Sequence, residues 1–174
     1  MYIKELSIPE NVTVEVSGNK VKVSGEKGQL ERKFELVKGV KLEKIDNKIK
    51  VSAETERRKV KALVGTIIAH IKNMIEGVTQ GFTYKLKVVF SHFPVTVKVE
   101  GKQVIIQNFL GSRTPRVAKI VGNTEVKIEG QDITLSGIDL ENVGQTAANI
   151  ELATRITGYD RRRFMDGCYI VSQK

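Results

Sequence analysis

Between positions 155 and 163 the chain carries Arg155, Arg161, Arg162 and Arg163, the last three consecutive and bracketed by Tyr159 and Phe164. Guanidinium groups grip phosphate oxygens through paired hydrogen bonds and stack on flat rings, and aromatic side chains beside them can stack on unpaired bases. The chemistry written there is recognition of a polyanion rather than bond making. Each residue also has a plainer reading. A run of charge can simply solvate a face, Arg155 suits the negative end of a helix dipole, and Phe164 can anchor a loop to a core. Arg113 and Arg116 lie in the turn-rich stretch 111–116 and form a second candidate phosphate contact. His92, beside Pro94, and Lys174, the last residue, complete the candidate set. Arg57, Arg58, Lys59 and Lys61 open a helical stretch, where a cation is disfavoured by a few tenths of a kcal/mol, ~0.3 each. They form a weaker patch for RNA or a partner, with Glu54 and Glu56 close enough in sequence to compensate.

The residues of catalysis are thinly represented. The two histidines, His70 and His92, have no second histidine at metal-ligand spacing. There is no glycine-rich phosphate loop, no Gly-x-Ser-x-Gly elbow and no recognisable carboxylate pair. Cys168, the only cysteine, excludes an intrachain disulfide, and its apolar strand setting argues against a nucleophilic thiolate. The expectation is no enzyme, no cofactor, no metal and no small-molecule substrate. No apolar run approaches a membrane span and the first residues lack a secretion-signal core, so a cytoplasmic location is expected.

These side chains need elements to position them, and the elements are written twice. Val12-Thr13-Val14-Glu15-Val16-Ser17-Gly18 answers to Val95-Thr96-Val97-Lys98-Val99-Glu100-Gly101. Residues 48–52 answer to 132–136, just before a helical pattern in each half. A repeat this long is a whole small domain. The reading is two tandem α+β domains of one topology, 1–90 and 91–174, each a mostly antiparallel sheet packed against one main helix.

In the first copy, alternating residues predict strands at 12–16, 20–24, 30–36, 40–45, 48–53 and 82–90. Val60, Val64, Ile67, Ile68, Ile71 and Ile75 predict a helix that Gly77 closes. The second copy predicts strands at 95–99, 103–109, 116–120, 124–128 and 132–135, then a helix over 139–156 capped by Asp139. Its Gly144, Ala147, Ala148 and Ala153 suit close packing, on its own sheet or on a partner. The basic excess (net +9, pI near 9.6) fits an acidic partner. Residues 1–90 carry +7 and residues 91–174 carry +2. The first half holds mainly scattered lysines and the second holds six of the nine arginines, so residue type outweighs net charge in choosing the second.

Val143-Gly144-Gln145-Thr146-Ala147-Ala148-Asn149-Ile150 and Arg162-Arg163-Phe164-Met165-Asp166-Gly167-Cys168-Tyr169-Ile170 resemble segments of the large-subunit ribosomal protein-six family, the second in its archaeal and eukaryotic branch. The duplication, the overall length and the 84–95 junction agree with that resemblance. Cys168 departs from an aliphatic residue usual there, and Tyr159 from a basic one. The resemblance implies a structural ribosomal protein, without catalysis or cofactor. It implies a second domain docked on large-subunit rRNA near the translation-factor region, with ribosomal proteins as neighbours. The alternative is a non-ribosomal RNA-binding or protein-interaction adaptor.

Overall fold

The computed structural model describes residues 1–174, the full sequence, as two compact units, Met1–Gly81 and Phe82–Lys174. In the first, six short strands precede one long helix: β1 (Tyr2–Ser7), β2 (Thr13–Ser17), β3 (Lys20–Gly25), β4 (Gly28–Lys33), β5 (Val40–Ile45), β6 (Lys48–Ala53) and α1 (Arg58–Thr79). The strands form two antiparallel three-stranded sheets, ordered β2-β3-β4 and β1-β6-β5. The Gly18-Asn19 turn sets the first hairpin so that Val14 pairs with Val23 and Val16 with Val21 on one buried face. α1 lays Val64, Ile67, Ile71, Met74, Ile75 and Val78 onto that core.

The helix runs past the stop expected at Gly77, because Val78 is wholly buried and its carbonyl accepts the Lys27 N–H at 3.0 Å. Closure falls instead to Gly81, whose φ of +76° is the left-handed turn that L side chains resist. Its N–H returns to the Glu76 carbonyl at 3.2 Å. Opposite Val78 lies Gly25, where an added Cβ would sit 2.8 Å from Val78 Cγ2 and 2.9 Å from the Val78 carbonyl oxygen. Gly25→Ala therefore pushes the helix end off β3. The expected loss is about 1–3 kcal/mol in urea unfolding; an unchanged midpoint would show that this contact yields freely.

The second unit repeats the plan and extends it: β7 (Phe82–Val89), β8 (Thr96–Glu100), β9 (Gln103–Gln107), β10 (Arg116–Lys119), β11 (Glu125–Glu129), β12 (Asp132–Gly137), α2 (Leu140–Ala153) and β13 (Gly167–Gln173). The sheet β8-β9-β10 matches β2-β3-β4, and β11-β12-β7 matches β5-β6-β1. The domain boundary expected after residue 90 therefore moves to Gly81/Phe82. β7, expected to close the first copy, pairs with β12 along Phe82–Lys87 and is the opening strand of the second. The first copy's counterpart, β1, escaped the periodicity reading because none of its residues is fully buried.

The same shift redistributes charge. Lys85 and Lys87 pass to the second unit, which then carries 13 Lys+Arg against 9 Asp+Glu, while the first carries 16 against 11. Most of the charge asymmetry between halves vanishes with the boundary that produced it.

β13 has no counterpart in the first unit. It pairs with the free side of β7, with a register break between Ile170 and Ser172. The core gathers Leu86, Val88, Val104, Ile106, Ile133, Leu135, Val143, Ala147, Ile150 and Cys168. Phe109, expected to extend a strand, sits wholly buried in a tight 3-10 turn (Phe109–Gly111), flanked by left-handed Asn108 and Leu110. No helix is long and apolar enough to cross a membrane.

Candidate nucleic-acid interface

The segment between α2 and β13 is where the second unit departs from the first, and it is tightly built. Asp139 caps α2 by accepting the Glu141 N–H at 3.0 Å. The helix ends at Ala153, three residues earlier than the sequence pattern suggests. There Thr154 Oγ1 turns back onto the Glu151 carbonyl at 3.1 Å and accepts the Cys168 N–H at 2.9 Å. The last carbonyls are claimed by Arg116, whose Nη1 donates to Ala153 and Arg155 at 2.9 Å each. Its guanidinium lies 4.5 Å over the Phe109 ring. Arg116 is thus occupied in closing a helix, whereas Arg113 stays exposed on the loop before it. Gly144 faces Tyr84 and Ala147 is buried, so the small residues of α2 serve the contact with its own sheet.

Arg161, Arg162 and Arg163 occupy one turn whose backbone is held by Asp160. Its carbonyl accepts N–H groups of Arg163 at 3.0 Å and Phe164 at 2.9 Å, and its carboxylate accepts that of Arg162 at 3.0 Å. The three side chains and that of Arg155 are exposed and make no ion pair. Four of the thirteen lysines of the first unit differ: Lys20 pairs with Glu31, Lys48 with Glu5, Lys61 with Glu56 and Lys72 with Glu76. In the weaker patch, Lys61 also lies 5.1 Å from the Tyr2 ring centre. Arg57, Arg58 and Lys59 remain exposed at the start of α1, with no acidic residue in its first turn.

Beneath the arginine turn three rings form a ladder. His92 stacks on Phe164 at 4.4 Å between centroids, and Phe164 meets Tyr159 at 4.7 Å. Phe164 is half-buried and anchors the loop to the core, while Tyr159 offers its outer face to solvent. Lys174 pairs its backbone with Thr83 at the far end of β13 and leaves its side chain exposed. The structure therefore gathers Arg161, Arg162, Arg163, Tyr159, Phe164 and His92, with Arg155 alongside at the end of α2. It gives Arg113, Lys174 and the α1 patch no part in that cluster.

The residue that sequence reasoning missed is Asp166, which reads as an ordinary turn before Gly167. It is fully buried. One oxygen accepts Ser91 Oγ at 3.1 Å and faces His92 Nδ1 at 3.2 Å; the other accepts the backbone N–H groups of Ser91 and His92 at 3.4 and 3.5 Å. Burial raises this carboxyl group, but the hydrogen bonds from His92 and Ser91 outweigh it and hold the pKa below the ordinary aspartate value. The carboxylate thus pins the segment before β8 to the turn before β13. Cys168 next to it is buried, and burial pushes its thiol up to about 11 despite the Thr154 hydrogen bond, so it stays protonated near neutral pH.

A cluster of unpaired arginines on a braced turn, with a ring ladder beside it, has the groups that can hold phosphate and stack on flat rings. The model of the family described as Ribosomal protein L6 matches residues 8–81 and 93–167, one match to each repeat. Among curated proteins, the large ribosomal subunit protein uL6 of Ignicoccus hospitalis is 54% identical over 97% of this chain and 93% of its own length. That of Aeropyrum pernix is 49% identical over 99% and 94%, and that of Methanosarcina mazei 48% identical over 98% and 96%.

Proposed function

This chain belongs to the ribosomal protein L6 family, and from that premise we propose that it is a structural constituent of the large ribosomal subunit that binds large-subunit rRNA mainly through its second unit. The observation that carries this reading is the set of exposed, unpaired guanidinium groups, Arg155 just past the end of α2 and Arg161, Arg162 and Arg163 on a turn held by Asp160. Phosphate contact and shape suit A-form RNA, whose major groove is too deep and narrow for side chains to read. Arg113 and Lys174, exposed outside the cluster, are outlying phosphate contacts.

The first unit, with four of its thirteen lysines already matched by carboxylates, faces neighbouring ribosomal components, and its α1 patch is the secondary contact. Residence near the translation-factor region, in cytoplasmic ribosomes, is what family membership suggests for this chain. The expected result is co-sedimentation with large subunits through a moderate-salt wash. A hydroxyl-radical footprint should place the second unit on rRNA beside the factor-binding surface. A chain that stays in the supernatant, yet binds RNA alone, is instead a free adaptor.

A further inference from the structure

A cleft of about 440 Å³ opens between the end of α2 and the arginine turn. Its floor is Thr154, Ile156, Cys168 and the edge of Phe164. Its apolar walls are Leu152, Met165 and Tyr169, which are 60%, 60% and 42% exposed although no structural need puts such side chains in water. The volume falls within the ~300–1,000 Å³ range of sites that take small ligands. Two cations, Arg155 and Arg161, line it, together with one carboxylate, Glu151.

The far wall is braced before anything binds. Tyr169 Oη donates to the Met165 carbonyl at 3.0 Å, and the ring lies against Gly167, where an added Cβ would be 3.4 Å from it. A half-open cleft that sets exposed apolar side chains beside two guanidinium groups fits a base with its phosphate, because the base can lie on the apolar side chains while the arginines take the charge. Glu151 adds an acceptor that an exocyclic amino group can use. An apolar peptide anchor would fill the cleft and leave two arginines facing a single carboxylate.

We propose that this cleft is a subsite for a single unstacked nucleotide of rRNA, its base between Leu152, Met165 and Tyr169 and its phosphate on Arg155 and Arg161. The proposal rests on the rRNA-binding reading above and deepens it. It adds base capture, by a surface separate from Arg162 and Arg163, to the phosphate grip of the turn.

The test uses the full chain with Leu152→Cys or, separately, Arg162→Cys, each carrying an aryl-azide photo-crosslinker and assembled into large subunits. Native Cys168 is buried and protonated, so the label goes to the introduced thiol. The expected result is an rRNA adduct from both positions, with that from 152 concentrated on one unpaired nucleotide. Adding Met165→Glu to each labelled chain places a carboxylate where the base must lie, and should lower the adduct from 152 about tenfold while the adduct from 162 persists. Adducts to a protein, to paired nucleotides, or to nothing from 152, while 162 still marks rRNA, overturn the subsite and leave the parent reading standing. Loss of the rRNA adduct at 162 overturns both.

Discussion

Changing Arg161, Arg162 and Arg163 together to alanine flattens the log–log salt dependence of rRNA affinity by about two to three units, since each phosphate contact contributes ~0.7–0.9. At 0.1 M salt the same loss is on the order of a hundredfold in affinity, or about 2.7 kcal/mol. The effect is expected to be clean. The turn is held by the Asp160 carbonyl and carboxylate acting on backbone N–H groups, and no guanidinium takes part in that network. Far-UV circular dichroism and the unfolding midpoint should therefore stay as they were.

The matched control is Arg57, Arg58 and Lys59 changed together to alanine. It removes the same charge from the first unit, where these cations crowd the positive end of α1. That triple variant should alter the slope by about one unit or less and leave stability unchanged or slightly raised. If the two variants exchange behaviours, the first unit is the principal RNA-binding surface and the weighting of arginine over lysine is reversed.

Why the cluster was visible in the sequence, and its support was not, follows from how each kind of residue acts. Consecutive arginines between aromatics announce themselves by type, and so does the Val64, Ile67, Ile71 stripe of α1, because period and composition are local properties. The β7 assignment failed for a different reason. Its apolar alternation identifies a strand, yet says nothing about which hairpin it joins. Only the pairing of Leu86 with Ile133, 47 residues on, puts it in the second unit. β1 is weaker still, since Leu6 and Tyr2 are half-covered against Ile49 and Ala53 and leave little signal.

Arg116 shows the same limit from the side of function. Two arginines on one loop, Arg113 and Arg116, look alike in the sequence. A helix end brought next to Arg116, at the carbonyls of Ala153 and Arg155, makes one a structural cap and leaves the other exposed. Asp166 is the extreme case. Its partners lie about 75 positions away, and a turn-forming Asp-Gly pair conceals a buried anion.

That buried anion is where the largest loss of stability is expected. Asp166→Ala removes the acceptor for the Ser91 hydroxyl, two backbone N–H groups and His92, in a site with no exposure of its own. Hydrogen bonds to a buried charge are worth more than neutral ones, and water can partly restore the His92 side; the cost should be about 2–4 kcal/mol. Asp166→Asn keeps the shape and some acceptor capacity and should lose less, about 1–2 kcal/mol. Both are measurable by urea unfolding followed through tyrosine fluorescence, because three of the four tyrosines belong to the second unit.

The pH dependence separates charge from packing. The folded carboxyl is held below its unfolded value of ~3.9, so its contribution is fully present above that value and is lost as pH falls through the folded one. Wild type should therefore lose more stability than Asp166→Asn on going from neutral to acidic solution, and the two curves should converge at low pH. The consequence reaches the interface. With Asp166 gone, His92 is free to leave Phe164, the Phe164–Tyr159 contact loosens, and the arginine turn loses its footing although no arginine has changed. A variant that unfolds more easily yet binds rRNA with undiminished affinity would show that the ring ladder has no part in placing that turn.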